Sequence, residues 1–262
     1  MQSLTACTKK NRRKSNLKSV YLWVFAFLLT ININYYIIIS ERRYLIKTIK
    51  KAVYLSGPLA FICYLLHDIL GSINYPGYDP FTQAVSDLTA ENAPYLWIAR
   101  PLSALYGLFS IICVISACVF LRKKTNAAQY IGVIVFAMMN LISAVGYSLF
   151  PLTESGTPDG FQNKMHIAVT IAVVATSIIS LLFIIVGGFL KKSDKAMAIA
   201  AAAAFLLMAG GAVGTNIAPA SVFGIVERFS TYAAVGFTAF LGMKSFLIRE
   251  NKGWDKYDNA DP

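Results

Sequence analysis

The sequence predicts an all-α membrane protein, a polytopic helix bundle with six core transmembrane helices and an extra N-terminal hydrophobic helix. The first observation behind this prediction is composition. Of 262 residues, 56% are hydrophobic and 14% are charged, and the mean hydropathy of +0.57 is high for a soluble globular domain. The second observation is that several apolar runs reach the roughly 20 residues with which a helix crosses a hydrocarbon core about 30 Å thick.

Six apolar runs of transmembrane length follow one another after residue 51. They are Ala52 to Ser72, Tyr95 to Leu121, Ala127 to Phe150, Met165 to Leu190, Ala196 to Asn216 and Gly224 to Ile248. We therefore divide the chain into a basic N-terminal extension with a hydrophobic helix (1–51), a six-helix transmembrane domain (52–250) and a polar cytoplasmic tail (251–262).

The extra hydrophobic helix is predicted at Val20 to Ser40, after a basic segment. This run is long for a signal sequence, contains two asparagines and ends in SERRY, where a signal peptidase would need small residues. Lysines and arginines flank it on both sides, which conflicts with a spanning orientation. We interpret it as a peripheral or loosely attached helix, and the sequence leaves open whether it spans or belongs to the native start.

The basic residues predict the orientation of the six-helix domain. The chain has 24 Lys and Arg residues against 13 Asp and Glu residues. They cluster at Arg42 to Lys51, Arg122 to Lys124, Lys191 to Lys195, and at Lys244, Arg249, Lys252 and Lys256. The positive-inside rule places these clusters and the C-terminus in the cytoplasm of a multi-pass cell-membrane protein. Clustering between apolar runs indicates topology, so the expected partner is the lipid bilayer and not nucleic acid.

The insert between the first and second runs, Asn74 to Pro94, inverts the charge of the chain. It carries Asp79, Asp87 and Glu91 but neither lysine nor arginine. Its prolines and Gly77 predict a defined turn, because proline fixes φ and glycine tolerates a left-handed conformation. The orientation above makes the insert extracytoplasmic.

A short helix is predicted within the insert, from Pro80 to Leu88. The spacing of Phe81, Val85 and Leu88 would place these three side chains on one surface. Gln83 and Asp87 would then share the opposite face. In the fifth run, Gly210 and Gly214 form a GxxxG pattern, which predicts close contact with a neighbouring helix.

Ionisable residues recur near the extracytoplasmic ends of the runs, where they are costly unless they face protein or water. The set comprises His67, Asp68, Arg100, His166, Glu227 and Arg228. No matching set occurs in the cytoplasmic halves of the runs. We therefore predict that these residues meet at one depth and form an outward-facing polar pocket covered by the insert.

Three segments together resemble a known family. They are YPGYDPFTQAVSDLTAENAP after HDILGSIN, the dipeptide MH at Met165 and His166, and GIVERFS at Gly224 to Ser230. In this order they resemble the six-helix integral membrane family catalogued as domain of unknown function 998, over about Lys51 to Glu250. The resemblance implies a six-helix membrane fold and no established activity. The positions that match its motifs are Asp79, Gln83, Ser86, His166, Glu227 and Arg228.

The first functional hypothesis is a membrane-embedded enzyme that acts on a lipid or amphiphile. The candidate catalytic residues are His166, Asp87 and Glu227, and the candidate metal ligands are His67 and His166. The candidate binding residues are Asp68, Asp79, Gln83, Arg100 and Arg228, among which Arg100 or Arg228 would hold an anionic headgroup. HExxH and GxSxG motifs are absent from the sequence, so neither a known zinc-protease nor a serine-hydrolase mechanism is supported, and the cofactor stays unknown.

Two other classes stay open. A transporter or binding protein for a small solute or lipid would also use polar stripes and glycine-rich helices. A non-catalytic structural or regulatory membrane protein would use the insert as a docking surface. For the polar residues themselves, the alternative to a catalytic site is a structural network in which Glu227 or Asp68 pairs with an arginine and His166 caps a helix.

Overall fold

The computed structural model describes residues 45, 48–49, 51–154 and 159–252, with side chains up to residue 248. The chain divides into two units, Met1–Lys50 and Lys51–Pro262. The helix predicted at Val20 to Ser40 lies outside the described residues.

Six long helices make up the described part of the second unit. They are α1 (Lys51–Asn74), α2 (Leu96–Leu121), α3 (Ala127–Leu149), α4 (Phe161–Gly187), α5 (Lys195–Ile217) and α6 (Phe223–Lys252). Each is long and apolar enough to cross a membrane, and the described part of the chain contains no β-strand. The predicted all-α class with six core membrane helices is confirmed.

The predicted boundaries differ most at the ends of α4 and α6. α4 begins at Phe161, four residues before the predicted start, because the polar segment FQNK forms its first turn outside the apolar run. α6 continues to Lys252 in the same way. An apolar run measures the part of a helix inside the membrane, whereas a helix can extend into water at either end.

Neighbours in sequence are neighbours in space from α2 to α6, and α2 also contacts α6. α1 packs against both α2 and α6, since the Tyr64 ring lies 4.9 Å from Tyr106 and 5.5 Å from Tyr232 between ring centroids. All six helices therefore surround a common interior.

The outer faces of the helices are apolar. Large hydrophobic side chains such as Trp97, Val119, Ile199, Leu206 and Ile217 are exposed. Exposed apolar surface of this extent is unfavourable in water and favourable in hydrocarbon. The fold is that of a multi-pass membrane protein.

The packed core fills one half of the bundle. We call the end that carries Asn74–Pro94 the insert end, and the other the opposite end. Buried apolar side chains such as Leu121, Val133, Ile184 and Met197 concentrate in the half nearest the opposite end. Phe136 and Phe237 also meet there, edge to face, with ring centroids 5.0 Å apart.

Polar groups at the opposite end satisfy one another. The Gln129 amide donates to the backbone oxygen of Asp194 at 2.9 Å and accepts from the Asp194 N–H at 2.8 Å. The Asp194 carboxylate caps α5 by accepting from Met197 N–H, and it pairs with Lys244 Nζ at 2.8 Å. These bonds join α3, α5 and α6.

Candidate functional site

The insert starts with a turn. Gly77 adopts a φ of +79°, a left-handed conformation that favours glycine, and the Tyr78 N–H donates to the Tyr75 oxygen at 3.1 Å. Asp79 shapes the next residues, because its carboxylate accepts from the Phe81 N–H at 3.0 Å and from the Thr82 hydroxyl at 3.1 Å.

The predicted helix from Pro80 to Leu88 is partly wrong. Asp79 holds the residues after it in a turn, so the helix begins only at Val85 and is a 3₁₀ helix, Val85–Thr89. Phe81 is 58% exposed, whereas Val85 and Leu88 are 2% and 1% exposed. These three side chains therefore do not share one surface.

The insert is fixed on two sides. On one side, the Glu91 N–H donates to the Leu152 oxygen at 2.7 Å, in the connection between α3 and α4. On the other, the Gly224 N–H donates to the Phe81 oxygen at 2.8 Å. A Cβ atom at Gly224 would collide with backbone oxygens of the insert, so glycine permits this close approach at the start of α6.

Asp68 and Arg228 form a largely buried bidentate ion pair between α1 and α6. Arg228 Nη2 lies 2.8 Å from Asp68 Oδ1, and Nε lies 3.1 Å from Oδ2. The Tyr232 hydroxyl donates to Oδ2 at 2.9 Å. The carboxylate therefore accepts three hydrogen bonds.

The remaining N–H groups of Arg228 bind the insert and the first turn of α6. Nη1 donates to the backbone oxygens of Pro80 at 2.7 Å, Gln83 at 3.0 Å and Gly224 at 3.0 Å. Nη2 also donates to the Tyr78 hydroxyl at 2.8 Å. A guanidinium has five N–H groups, and all of those on Arg228 are used within the protein.

The Tyr78 phenol completes this contact. Its hydroxyl accepts from Arg228 and donates to the Ala84 oxygen at 2.8 Å. Burial raises the pKa of Tyr78 from 10.0 to about 12. The phenol therefore stays neutral at physiological pH and can hold both bonds.

Two of the predicted binding residues, Asp79 and Gln83, form hydrogen bonds within the insert. Asp79 is exposed, and its carboxylate bonds stay within its own turn. The Gln83 side chain accepts from the Asp79 N–H at 2.8 Å, although Gln83 also borders the cavity described next.

A cavity of about 1560 Å³ lies below the 3₁₀ helix of the insert. Near the insert end its lining includes Asp87, Arg100, His166 and Glu227, and Ser86 borders it too. Toward the middle of the bundle the lining is apolar and comprises Ile111, Met139, Ile178, Met208 and Val235 among others. The structure thus brings together the three candidate catalytic residues and Arg100 around one cavity.

His166 is held by the end of α3. Its Nδ1 lies 2.8 Å from the Phe150 backbone oxygen. Because a carbonyl oxygen only accepts, Nδ1 carries the proton and Nε2 is the acceptor in the neutral ring. The Tyr147 ring lies 4.9 Å from the imidazole, and the buried Asp87 is close enough to act electrostatically on it.

Glu227 belongs to the polar part of the cavity lining. Its Oε2 accepts from the Val85 N–H at 3.2 Å. The carboxylate acts electrostatically on the hydroxyl groups of Tyr64 and Tyr147. Tyr106 also lines the cavity, and its ring lies 4.9 Å from that of Tyr64 between centroids.

His67 on α1 also borders the cavity. It is 3% exposed, and neither ring nitrogen has a hydrogen-bond partner among the described residues. The Tyr64 ring lies 5.7 Å away. His67 therefore contrasts with Asp68, whose oxygens are all engaged.

The family model described as Protein of unknown function (DUF998) matches residues 57–244. The chain belongs to this family. The match runs from α1 into α6 and includes the insert, the Asp68–Arg228 ion pair and the cavity lining. The resemblance noted in the sequence is thereby confirmed. No curated protein and no solved structure matches the chain.

The described residues of this DUF998 protein offer few metal ligands. Within residues 51–154 and 159–248, no group of three or more His, Cys, Asp or Glu side chains could hold a metal ion. His67 and His166, the two candidate ligands, both border the cavity.

Sequence reasoning missed Tyr64 and Tyr106 as site residues in this DUF998 protein. Each lies within a long apolar run and resembles an ordinary core residue there. The GxxxG prediction was also partly wrong. A Cβ atom at Gly210 would meet nothing within 4 Å, whereas Gly211 and Gly214 pack closely against α6.

Proposed function

We propose that this DUF998 protein binds an amphiphile in the cavity, with the polar head near the insert and the apolar chain toward the middle of the bundle. One observation carries the proposal. The lining changes along the cavity from ionisable groups, such as Glu227 and His166, to purely apolar ones, such as Ile178 and Met208. Only a molecule with the same polarity gradient would satisfy both ends.

The depth of the cavity fits one membrane leaflet. On α4 the lining runs from His166 to Ile178, and a rise of 1.5 Å per residue makes this about 18 Å. The hydrocarbon core of a bilayer is about 30 Å thick, so one leaflet contributes about 15 Å, which is close to this depth. An acyl or alkyl chain could therefore enter from a single leaflet.

The charge pattern supports an extracytoplasmic head site in a cell-membrane protein. Lysines and arginines follow α2 at Arg122 to Lys124 and precede α5 at Lys191 to Lys195. Both clusters lie at the opposite end of the bundle. The positive-inside rule then puts the insert and the cavity mouth on the outer side.

Arg100 supplies a positive group at the mouth. It is exposed, it borders the cavity, and it forms no ion pair within the described residues. Arg228, by contrast, is engaged by Asp68 and the insert. Of the two predicted headgroup arginines, Arg100 is the one positioned to bind an anionic group such as a phosphate.

A second candidate function is chemical modification of the amphiphile. The observation that favours it is the geometry of His166, whose Nδ1 is held by the Phe150 oxygen. This leaves Nε2 as a proton acceptor in a ring that borders the cavity, with Asp87 nearby. Such an oriented imidazole is suited to act as a general base.

The binding proposal is tested by a variant that fills the apolar part of the cavity. Val174 lines the cavity, whereas Ile179 on the same helix is 47% exposed and does not. The wild-type protein, Val174→Phe and Ile179→Phe are purified in dodecyl maltoside, and bound lipids are identified by native mass spectrometry. We expect a stoichiometric amphiphile in the wild type and Ile179→Phe, and its loss from Val174→Phe. Equal lipid content in all three would contradict the proposal.

The second candidate is tested by His166→Ala. Membranes with the wild-type protein and with the variant are compared for lipid products and for bound zinc. A product that depends on His166 supports modification, and zinc lost from the variant would make it metal-assisted. Identical lipid products in His166→Ala and the wild type would contradict chemical modification and leave binding as the function.

A further inference from the structure

Glu227 has a carboxylate in the cavity without a paired cation. Its side chain accepts one backbone N–H, from Val85, and no residue in the described part of the chain forms an ion pair with it. The adjacent Arg228 is engaged by Asp68 and the insert. Asp87 adds a second acidic side chain to the same lining. An ionised carboxylate in such a site needs a counter-charge.

Three tyrosines line the same cavity as this carboxylate. Tyr64, Tyr106 and Tyr147 all border the cavity, and Glu227 acts electrostatically on the first and the third. The face of an aromatic ring is negative because of its quadrupole. Aromatic faces combined with a carboxylate attract an organic cation such as an ammonium group.

His67 gives an independent indication of a ligand. Its ring borders the same cavity, is 3% exposed and has no hydrogen-bond partner in the described part of the chain. A buried polar group without a partner is costly, and a ligand with a hydrogen-bond donor would remove that cost. In the neutral ring one nitrogen is an acceptor, which an N–H of a primary or secondary amine can reach.

We infer that Glu227, Tyr64, Tyr106, Tyr147 and His67 form a binding site for a protonated amine on the head of the amphiphile. This inference rests on the proposed function and specifies the class of its ligand. An anionic head at this position would meet Asp87 and Glu227. Arg100 lies at the mouth instead, where it can bind a second, anionic group of a zwitterionic head.

The inference is tested with amphiphiles that share one chain and differ in the head. The purified wild-type protein in dodecyl maltoside binds radiolabelled hexadecylamine, which is protonated at pH 7 as a lysine side chain is. Hexadecanol, hexadecanoate, hexadecyltrimethylammonium and butylamine serve as competitors. Butylamine tests whether a soluble amine suffices without the chain.

We expect hexadecylamine to bind at least tenfold more tightly than hexadecanol and hexadecanoate. The affinity of hexadecyltrimethylammonium should lie between that of hexadecylamine and those of the other two compounds, because it keeps the charge but lacks an N–H for His67. Butylamine should compete weakly. Equal affinity for hexadecylamine and hexadecanol, or tighter binding of hexadecanoate, would overturn the inference.

A matched pair of variants assigns the effect to one carboxylate. Glu227→Gln removes the charge and keeps an oxygen that can accept the Val85 N–H. Glu154→Gln makes the same change at an exposed residue of the α3–α4 connection that does not line the cavity. Glu227→Gln should lower hexadecylamine affinity at least tenfold and leave hexadecanol affinity unchanged, and Glu154→Gln should change neither.

The outcomes separate this inference from the proposed function. Binding of all three hexadecyl compounds with similar affinity supports an amphiphile site and rejects the amine site. Absence of binding of every hexadecyl compound rejects the proposed function itself. Hexadecylamine affinity that survives Glu227→Gln also rejects the amine site, even if the wild-type preference is present.

Discussion

Two pairs of adjacent residues, one on α1 and one on α6, each contain one residue that lines the cavity and one that stabilises the fold. On α1, His67 faces the cavity and Asp68 binds Arg228. On α6, Glu227 faces the cavity and Arg228 binds Asp68. All four lie at similar depth near the insert end, yet one member of each pair holds the fold together and the other borders the cavity.

The cause of this difference is helix geometry. With 3.6 residues per turn, consecutive side chains point about 100° apart around the helix axis. Asp68 and Arg228 point along the α1–α6 interface, where each meets hydrogen-bonding partners. His67 and Glu227 point into the cavity, where few protein groups can reach them. A similar depth in the membrane therefore does not give ionisable residues a similar function.

The largest expected effect comes from breaking the ion pair. Asp68→Asn keeps the shape of the side chain and removes its charge, so the Arg228 guanidinium stays buried without a counter-ion. Loss of one partner of a buried pair costs about 3–5 kcal/mol. The unfolding free energy, measured by SDS titration of the purified protein in dodecyl maltoside, should fall by this amount.

The control for Asp68→Asn is the same chemical change at an exposed carboxylate, Glu154→Gln. It should leave the unfolding free energy within about 0.5 kcal/mol of wild type. A loss below about 1 kcal/mol in Asp68→Asn would mean that the ion pair contributes little, and the contrast between the two pairs would then fail.

A smaller loss is expected when the ion pair keeps its charges but loses one hydrogen bond. Tyr232→Phe removes the hydroxyl that donates to Asp68 Oδ2 at 2.9 Å. Hydrogen bonds to charged groups contribute about 1.5–3 kcal/mol. SDS titration should detect a loss in this range, and Tyr130→Phe on α3 provides the control. A loss in Tyr232→Phe no larger than in the control would contradict the assignment.

The bundle and the depth of its polar residues could be predicted from sequence. Bilayer thickness fixes helix length, so the apolar runs locate α1 to α6 directly. Burial cost makes ionisable residues such as His67 and Glu227 conspicuous in an apolar run. The prediction that Glu227 or Asp68 pairs with an arginine correctly named Asp68 as one alternative.

The partners could not be predicted, because they depend on helix rotation and on contacts between distant residues. Asp68 and Arg228 are 160 positions apart, and nothing local distinguishes Arg228 from Arg100 as the engaged arginine. Asp79 was predicted to bind a ligand, but its carboxylate finds nearer partners in its own turn. Tyr64 gave no signal, since a tyrosine in an apolar run fits a core equally well.

A third change, at Glu227, should not destabilise the protein as Asp68→Asn does. Glu227→Gln is again a carboxylate-to-amide change, but here no cation is left unpaired in the described part of the chain. The amide oxygen can still accept the Val85 N–H, and the cost of burying a charge disappears. We expect the unfolding free energy to stay equal or rise by up to about 1 kcal/mol. A loss as large as that of Asp68→Asn would show that Glu227 also holds the fold.

The smallest effect on stability is expected at His67. His67→Leu replaces an imidazole that has no hydrogen-bond partner among the described residues with an apolar side chain of similar size. Replacing a buried polar group by an apolar one is nearly neutral or stabilising when no partner is left unsatisfied. SDS titration should therefore give an unfolding free energy within about 0.5 kcal/mol of wild type.

Binding, in contrast, should respond at His67. Because the imidazole is inferred to accept an N–H of the amine, His67→Leu should weaken hexadecylamine binding severalfold and leave hexadecyltrimethylammonium binding unchanged. A variant that unfolds more easily but binds both amphiphiles as the wild type does would make His67 a structural residue like Asp68. Unchanged stability with selective loss of hexadecylamine would instead place His67 and Asp68, adjacent on one helix, in separate roles.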